Sequence, residues 1–316
     1  MTKTRHLFVS LTVALASWLT VSSAYAQIPH TWVSSAGTGT ACTRAAPCGD
    51  FGTAQSATSA GGVISVLDQF NDCCGVVITK SLTIRAEGVD GGGAYNTNGG
   101  DWIAVHAGAT DVVTLEGLHL NGLSGIIFTS GAHLHIVRCV FSNVHFSGEI
   151  GIRFVPTSAS KLSVTDTVIT NMGSGTGGGI VIRPQSAGNA QVNLEHVTVN
   201  GNAFGIAADG TDSTGGINMT IADSMIGGNS QDGIIAVTPS GGAPIGVYVK
   251  NTKSVNNAFG IRSIGPNVTV RVDGSAAIGN TTGLSFSSGG ALLSFGNNAV
   301  RANGTDGAFS GPVGLQ

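Results

Sequence analysis

A glycine followed by isoleucine or leucine recurs along most of this chain, as Gly125-Ile126, Gly151-Ile152, Gly179-Ile180, Gly205-Ile206, Gly233-Ile234, Gly260-Ile261 and Gly283-Leu284, at steps of 26, 28, 26, 28, 27 and 23 residues. Such a period outranks every local signal, because a missed repeat misassigns the whole fold. Ahead of the pairs run short segments in which apolar and polar residues alternate, among them Leu134-His135-Ile136, Leu162-Ser163-Val164, Val192-Asn193-Leu194, Met219-Thr220-Ile221 and Val247-Tyr248-Val249. Period two marks strands with one buried face. An asparagine recurs between segment and pair: Asn202, Asn229, Asn257 and Asn280, with Asn303 in the last turn. Asparagine tolerates left-handed backbone and bonds neighbouring main chain, so it suits a tight corner, and stacked over successive coils these side chains form an amide ladder.

Each repeat therefore holds two or three short strands and cannot bury its apolar face alone, so repeats must stack. No helical period long enough for a crossover helix separates the strands. Composition agrees: 49 of 316 residues are Gly, only 10% are charged, and five Lys with four Glu are too few to build exposed helix faces. A hydrophobic content of 41% excludes a disordered chain. The chain is predicted to be all-β, a single parallel solenoid of roughly ten coils. In its alternating strand, Asn and Gly-Ile it resembles the right-handed parallel β-helix family with the pectin-lyase-like fold, in particular secreted bacterial repeat proteins of undefined activity. The resemblance runs from about Gly61 to Asn303. Handedness is implied by it and by the general preference for right-handed parallel crossovers.

Three segments are expected. Lys3 and Arg5, the apolar run Leu7 to Val21 and the small residues Ser22-Ser23-Ala24-Tyr25-Ala26 read as a signal peptide over 1–26, cleaved after Ala26, which makes the protein secreted or periplasmic. Residues 27–60 read as a cap over the first coil, with a short helix where Phe51, Ala54, Ala57 and Thr58 fall at helical spacing. Residues 61–316 form the β-helix, and Gly88 to Gly100 reads as a loop ejected from an early coil. Cys42 and Cys48 are expected to close a short disulfide loop. Cys73, Cys74 and Cys139 leave an odd thiol, for which a buried Cys139 is the bland candidate.

Beyond the signal segment 12 basic residues face 17 acidic ones, a net charge of −5. Nucleic acid is excluded as a partner for want of a basic stripe, and no later segment is apolar enough to span a membrane. Oligomeric state is not legible.

Enzymes of the resembled family act on acidic polysaccharides. Its polygalacturonases carry Asn-Thr-Asp, Asp-Asp, Gly-His-Gly and Arg-Ile-Lys, none of which occurs here. Asp101-Trp102-Ile103-Ala104-Val105-His106 only loosely matches a pectate lyase motif, so no catalytic residue is carried over. Asp166 and Asp223 fall at equivalent repeat positions shared with His196, Asn251 and Asn297, which reads as a corner. His133 and His135 point outward without an evident third ligand. No metal and no cofactor is expected. With each Gly-Ile starting a strand, Arg153, Arg183, Asp209 and Arg262 face outward on one sheet, and guanidinium forks suit carboxylates. The expected function is an exported, non-catalytic β-helix that binds an acidic polysaccharide or another envelope component, or is structural. The alternative is a polysaccharide lyase or hydrolase with an unrecognised site.

Overall fold

A computed structural model describes residues 27–72, 75–93, 102–122 and 125–314. The signal segment and Cys73 and Cys74 lie outside the described residues. Among the described residues the strands stack into three parallel sheets of 12, 10 and 9 strands, here sheets I, II and III in the order the chain visits them. One coil runs Asn189–Glu195, Thr198–Asn200 and Phe204–Asp209. The result is a right-handed parallel β-helix of about nine turns.

Register explains the core. In sheet I, Leu134, Leu162, Val192, Met219, Val247, Val270 and Leu292 pair coil upon coil. In sheet III, Ile126, Ile152, Ile180, Ile206, Ile234, Ile261 and Leu284 do the same. All are buried. Aromatic rings stack within this column arrangement, as between Phe128 and Phe154, with centroids 4.6 Å apart.

The glycine of each Gly-Ile pair is required by close approach. A Cβ on Gly179 would stand 2.6 Å from the Gly205 carbonyl oxygen of the next coil, and one on Gly260 would stand 2.4 Å from that of Gly283. The freed space at the corner between sheets II and III takes an asparagine. Asn229 Oδ1 accepts from the backbone N–H of Asn202 at 3.0 Å and from its Nδ2 at 3.2 Å. Asn257 serves Asn229, Asn280 serves Asn257 and Asn303 serves Asn280 in the same way. The file ends at Asp306, whose Oδ1 accepts from both the N–H and the Nδ2 of Asn303.

A second file stands at the corner between sheets I and II. Arg138, Asp166, His196, Asp223 and Asn251 occupy the left-handed region there, with φ between 45° and 53°. The residue after each points inward. Thr167 Oγ1 accepts from the Cys139 N–H, Ser224 Oγ from Val197, Thr252 Oγ1 from Ser224, Ser275 Oγ from Thr252, and Asn298 Oδ1 from Ser275. Cys139 is buried at the head of this file, and burial pushes its thiol up to about 12. Asn297 is not a corner residue of the same kind. The positive φ at that coil belongs to Gly296, and one extra residue intervenes.

The N-terminal end is covered by strand β1 (Ile28–Val33), helix α1 (Phe51–Ala57) and strand β2 (Thr58–Val66). β1 adds to sheet I by pairing with β2, so the cap continues the solenoid. Asp50 caps α1 by accepting from the Thr53 N–H at 2.6 Å. Phe51 packs edge-on against Phe70 and Trp102 at 5.1 and 5.7 Å. Cys42 and Cys48 form a disulfide. The glycine-rich stretch expected to be ejected instead begins as a strand. Gly91–Gly93 pairs with Phe70–Asp72 and with Leu118–Leu120, where a Cβ on Gly92 would fall 1.7 Å from the His119 carbonyl oxygen. Residues 94–101, including the rest of that stretch, lie outside the described residues.

Candidate ligand-binding surfaces

Arg153, Arg183, Asp209 and Arg262 all stand on the outer side of sheet III, but they do not converge. Arg153 shares a row with Val181, Ala207, Ile235 and Arg262, so three apolar positions separate the two guanidiniums. Arg183 lies two residues beyond that row, just after strand Gly178–Ile182. Its Nε is 3.3 Å from Asp209 Oδ2 and 2.9 Å from Asp212 Oδ2. Arg262 Nη2 donates to Asp232 Oδ2 at 2.9 Å, and the guanidinium lies 4.3 Å over the Phe259 ring. Asp232 is only 5% exposed, and burial pushes its carboxyl up to about 6 against the opposing pull of Arg262. These forks are engaged by carboxylates of the chain itself. Sequence alternation placed the arginines on a face but carried no information about Asp212 and Asp232, which reach them from a loop and from a strand start.

The outer side of sheet I has a different chemistry. One row runs Thr114, His135, Ser163, Asn193, Thr220, Tyr248 and Arg271. The row beside it runs His133, Lys161, Gln191, Asn218, Gly246 and Thr269. Gly246 interrupts that second file of side chains and opens a depression of about 240 Å³ bordered by Asn218, Thr220, Tyr248 and Arg271. Tyr248 is fixed there. Its hydroxyl donates to Asp273 Oδ2 at 2.6 Å and its ring meets the edge of Phe295 at 6.0 Å. That bond raises the tyrosine hydroxyl pKa and lowers the Asp273 carboxyl pKa. Further along the face, the His133 and His135 rings lie 3.6 Å apart, and His133 Nε2 is 2.8 Å from Ser163 Oγ. Burial first, then His135 and Lys161, lowers His133 to about 4.

A lengthwise groove follows the corner between sheets I and II. One bank is the file of left-handed residues, and the other is the outward file of sheet II that includes His119, Thr198, Met225 and Lys253. It deepens twice. A depression of about 630 Å³ is lined by Glu87, Asp90, His119 and Arg138, and another of about 390 Å³ by His196, Asp223, Asn251 and Lys253. In the first, His119 Nδ1 lies 2.7 Å from Asp90 Oδ1, and Glu116 bridges Arg85 and Arg138. In the second, His196 Nδ1 lies 3.4 Å from Asp166 Oδ1, and Asn251 Nδ2 donates to Asp223 Oδ1.

No family model and no curated protein matches the chain. Among solved structures it is similar to the crystal structure of pectate lyase Pel9A, with a TM-score of 0.53 at 12% sequence identity, over 89% of this chain and 80% of that one. The likeness is one of fold, and the fold of this chain is the right-handed parallel β-helix of the pectin-lyase-like kind.

Proposed function

We propose that this chain is an exported, non-catalytic β-helix that binds an acidic polysaccharide along the outer side of sheet I. The observation that carries the reading is the Gly246 depression, which sets an immobilised aromatic ring, an amide, a hydroxyl and an exposed guanidinium around a space of the size of one sugar ring. Sugar hydroxyls exchange hydrogen bonds with amides and hydroxyls, a pyranose face lies on an aromatic ring, and an Arg fork pairs with a uronate carboxylate. The hydroxyl, imidazole and amide groups in register on the preceding coils extend the same chemistry at one strand spacing, about 4.8 Å per coil. On sheet III, by contrast, the Arg183 and Arg262 guanidiniums are paired with Asp209, Asp212 and Asp232. The segment 1–26 accounts for export. Calorimetric titration of the secreted protein with polygalacturonate fragments tests it: Tyr248→Ala and Arg271→Ala should each weaken binding several-fold, and equal affinity in both folded variants would overturn it.

A second reading, a lyase or hydrolase, is favoured by the 630 Å³ depression, where Asp90 orients His119 beside Arg138. An imidazole held by a carboxylate is equipped to accept a proton. Release of reducing ends or of unsaturated products from a polysaccharide panel, lost in His119→Ala, would support it.

A further inference from the structure

We infer that the groove at the corner of sheets I and II holds a divalent transition-metal cation, of the class of Zn²⁺, between Glu195, His196 and Asp223. Each of these residues offers one ligand atom, and the three atoms lie within 4.8 Å of one another. They reach this arrangement from a rigid scaffold. Glu195 ends strand Asn189–Glu195 on its outer side, His196 is the next residue and turns the corner, and Asp223 turns the same corner one coil later. The backbone N–H of His196 donates to the Ala222 carbonyl at 3.2 Å, so the spacing of imidazole and carboxylate is set by the ladder itself.

The donor set selects the cation. Imidazole nitrogen with carboxylate oxygens suits Zn²⁺ and similar first-row ions. Ca²⁺ requires six to eight oxygens, and Mg²⁺ an octahedral oxygen shell, which three side chains with one nitrogen do not supply. The surroundings also fit. A ligating carboxylate is normally held by a second group, and Asn251 donates to Asp223 Oδ1. Asp166, on the preceding coil, stands 3.4 Å from His196 Nδ1. Two of the three, His196 and Asp223, line the 390 Å³ depression, whose far bank is Thr198, Met225 and Lys253. Three protein ligands leave a position on a tetrahedral ion for water or a ligand lying in the groove. The same residues were legible in the sequence only as a corner, because His196 and Asp223 are 27 residues apart, one period of the repeat, and Glu195 belongs to the strand.

The test is calorimetric titration of the untagged exported protein with Zn²⁺, with Ca²⁺ and Mg²⁺ as comparators. One Zn²⁺ per chain is expected, with a raised unfolding midpoint, and with neither effect from Ca²⁺ or Mg²⁺ at the same concentration. His196→Asn and Asp223→Asn are chosen because asparagine tolerates the left-handed backbone both positions adopt, so the fold is retained. Those two and Glu195→Gln should each weaken Zn²⁺ binding by about tenfold or more, with metal-free unfolding midpoints unchanged. Undiminished binding in the three variants, or binding abolished by His133→Ala with His135→Ala instead, would overturn the assignment. So would the absence of saturable Zn²⁺ binding by the unaltered chain.

Discussion

Asn257 occupies the space that a side chain on Gly233 of the preceding coil would need: a Cβ on Gly233 would stand 2.6 Å from Asn257 Nδ2 and 2.4 Å from Ser254 Oγ. The same relation joins Gly260 to Asn280 at 2.8 Å and Gly283 to Asn303 at 2.6 Å. The two halves of the repeat motif are therefore complementary between coils, each glycine making room for the next coil's asparagine.

Gly233→Ala is expected to destabilise the protein by roughly 1–3 kcal/mol through overpacking. Asn257→Ala should cost about the same, since it leaves the Asn229 N–H without its acceptor. In the double variant the losses should fall short of their sum only in part, because the contact with Asn257 is gone while that with Ser254 Oγ remains. Denaturant midpoints of the four proteins measure this, and strict additivity would refute the complementarity.

Replacing Cys42 and Cys48 by Ser should lower stability by about 2 kcal/mol, the chain-entropy value for a loop this short. The loss belongs to the cap. Amide exchange should rise in Ile28–Val33 and Phe51–Ala57 while the coils beyond Leu134 keep their protection.

Asp232 ties stability to pH in one direction. Its folded carboxyl titrates near 6, above the ordinary range for aspartate, so between about pH 4 and 6 the folded state binds the extra proton and stability falls as pH rises through that window. The difference in unfolding free energy between pH 4 and pH 7 should shift by on the order of 2 kcal/mol in Asp232→Asn relative to the unaltered chain. Parallel curves for the two proteins would show that Arg262 fully offsets the burial of Asp232.

His133 acts in the opposite direction. Its folded imidazole titrates near 4, below the unfolded value of 6.5, so the unfolded chain takes up the proton first and stability is lost as pH falls from about 6.5 to 4. In His133→Gln that loss should shrink by on the order of 1 kcal/mol, discounted for the partial exposure of the ring. Chemical denaturation at closely spaced pH values would detect it, and an unaltered slope would contradict it.

The architecture was legible because the residues that specify it recur with one chemistry at one period. At the corner between sheets II and III glycine and asparagine recur coil after coil from Gly179 and Asn202 onward, so the pattern survives in the sequence. The file at the other corner is built just as regularly but from Cys139, Thr167, Val197, Ser224, Thr252, Ser275 and Asn298. Several side chains satisfy that geometry, and the chemical signal is diluted. Gly91–Gly93 shows the opposite failure. Glycine there is dictated by the approach of the next coil, yet in sequence three glycines read as a loop. Arg183 and Arg262 faced outward as alternation requires. Their state was hidden because Asp212 and Asp232 come from positions that no period relates to them.

The asparagine file also has a direction, and its last acceptor lies in the same coil as its last asparagine. An asparagine receives from the coil before it through Oδ1 and gives to the coil after it through its own N–H and Nδ2, so each new coil is templated by the one already present. Asp306 receives both donations from Asn303 but, as a carboxylate, has nothing to pass on. One oxygen in place of one amide nitrogen thus closes the file from within its own coil, so that the N–H and Nδ2 of Asn303 do not stand open at the edge of the stack.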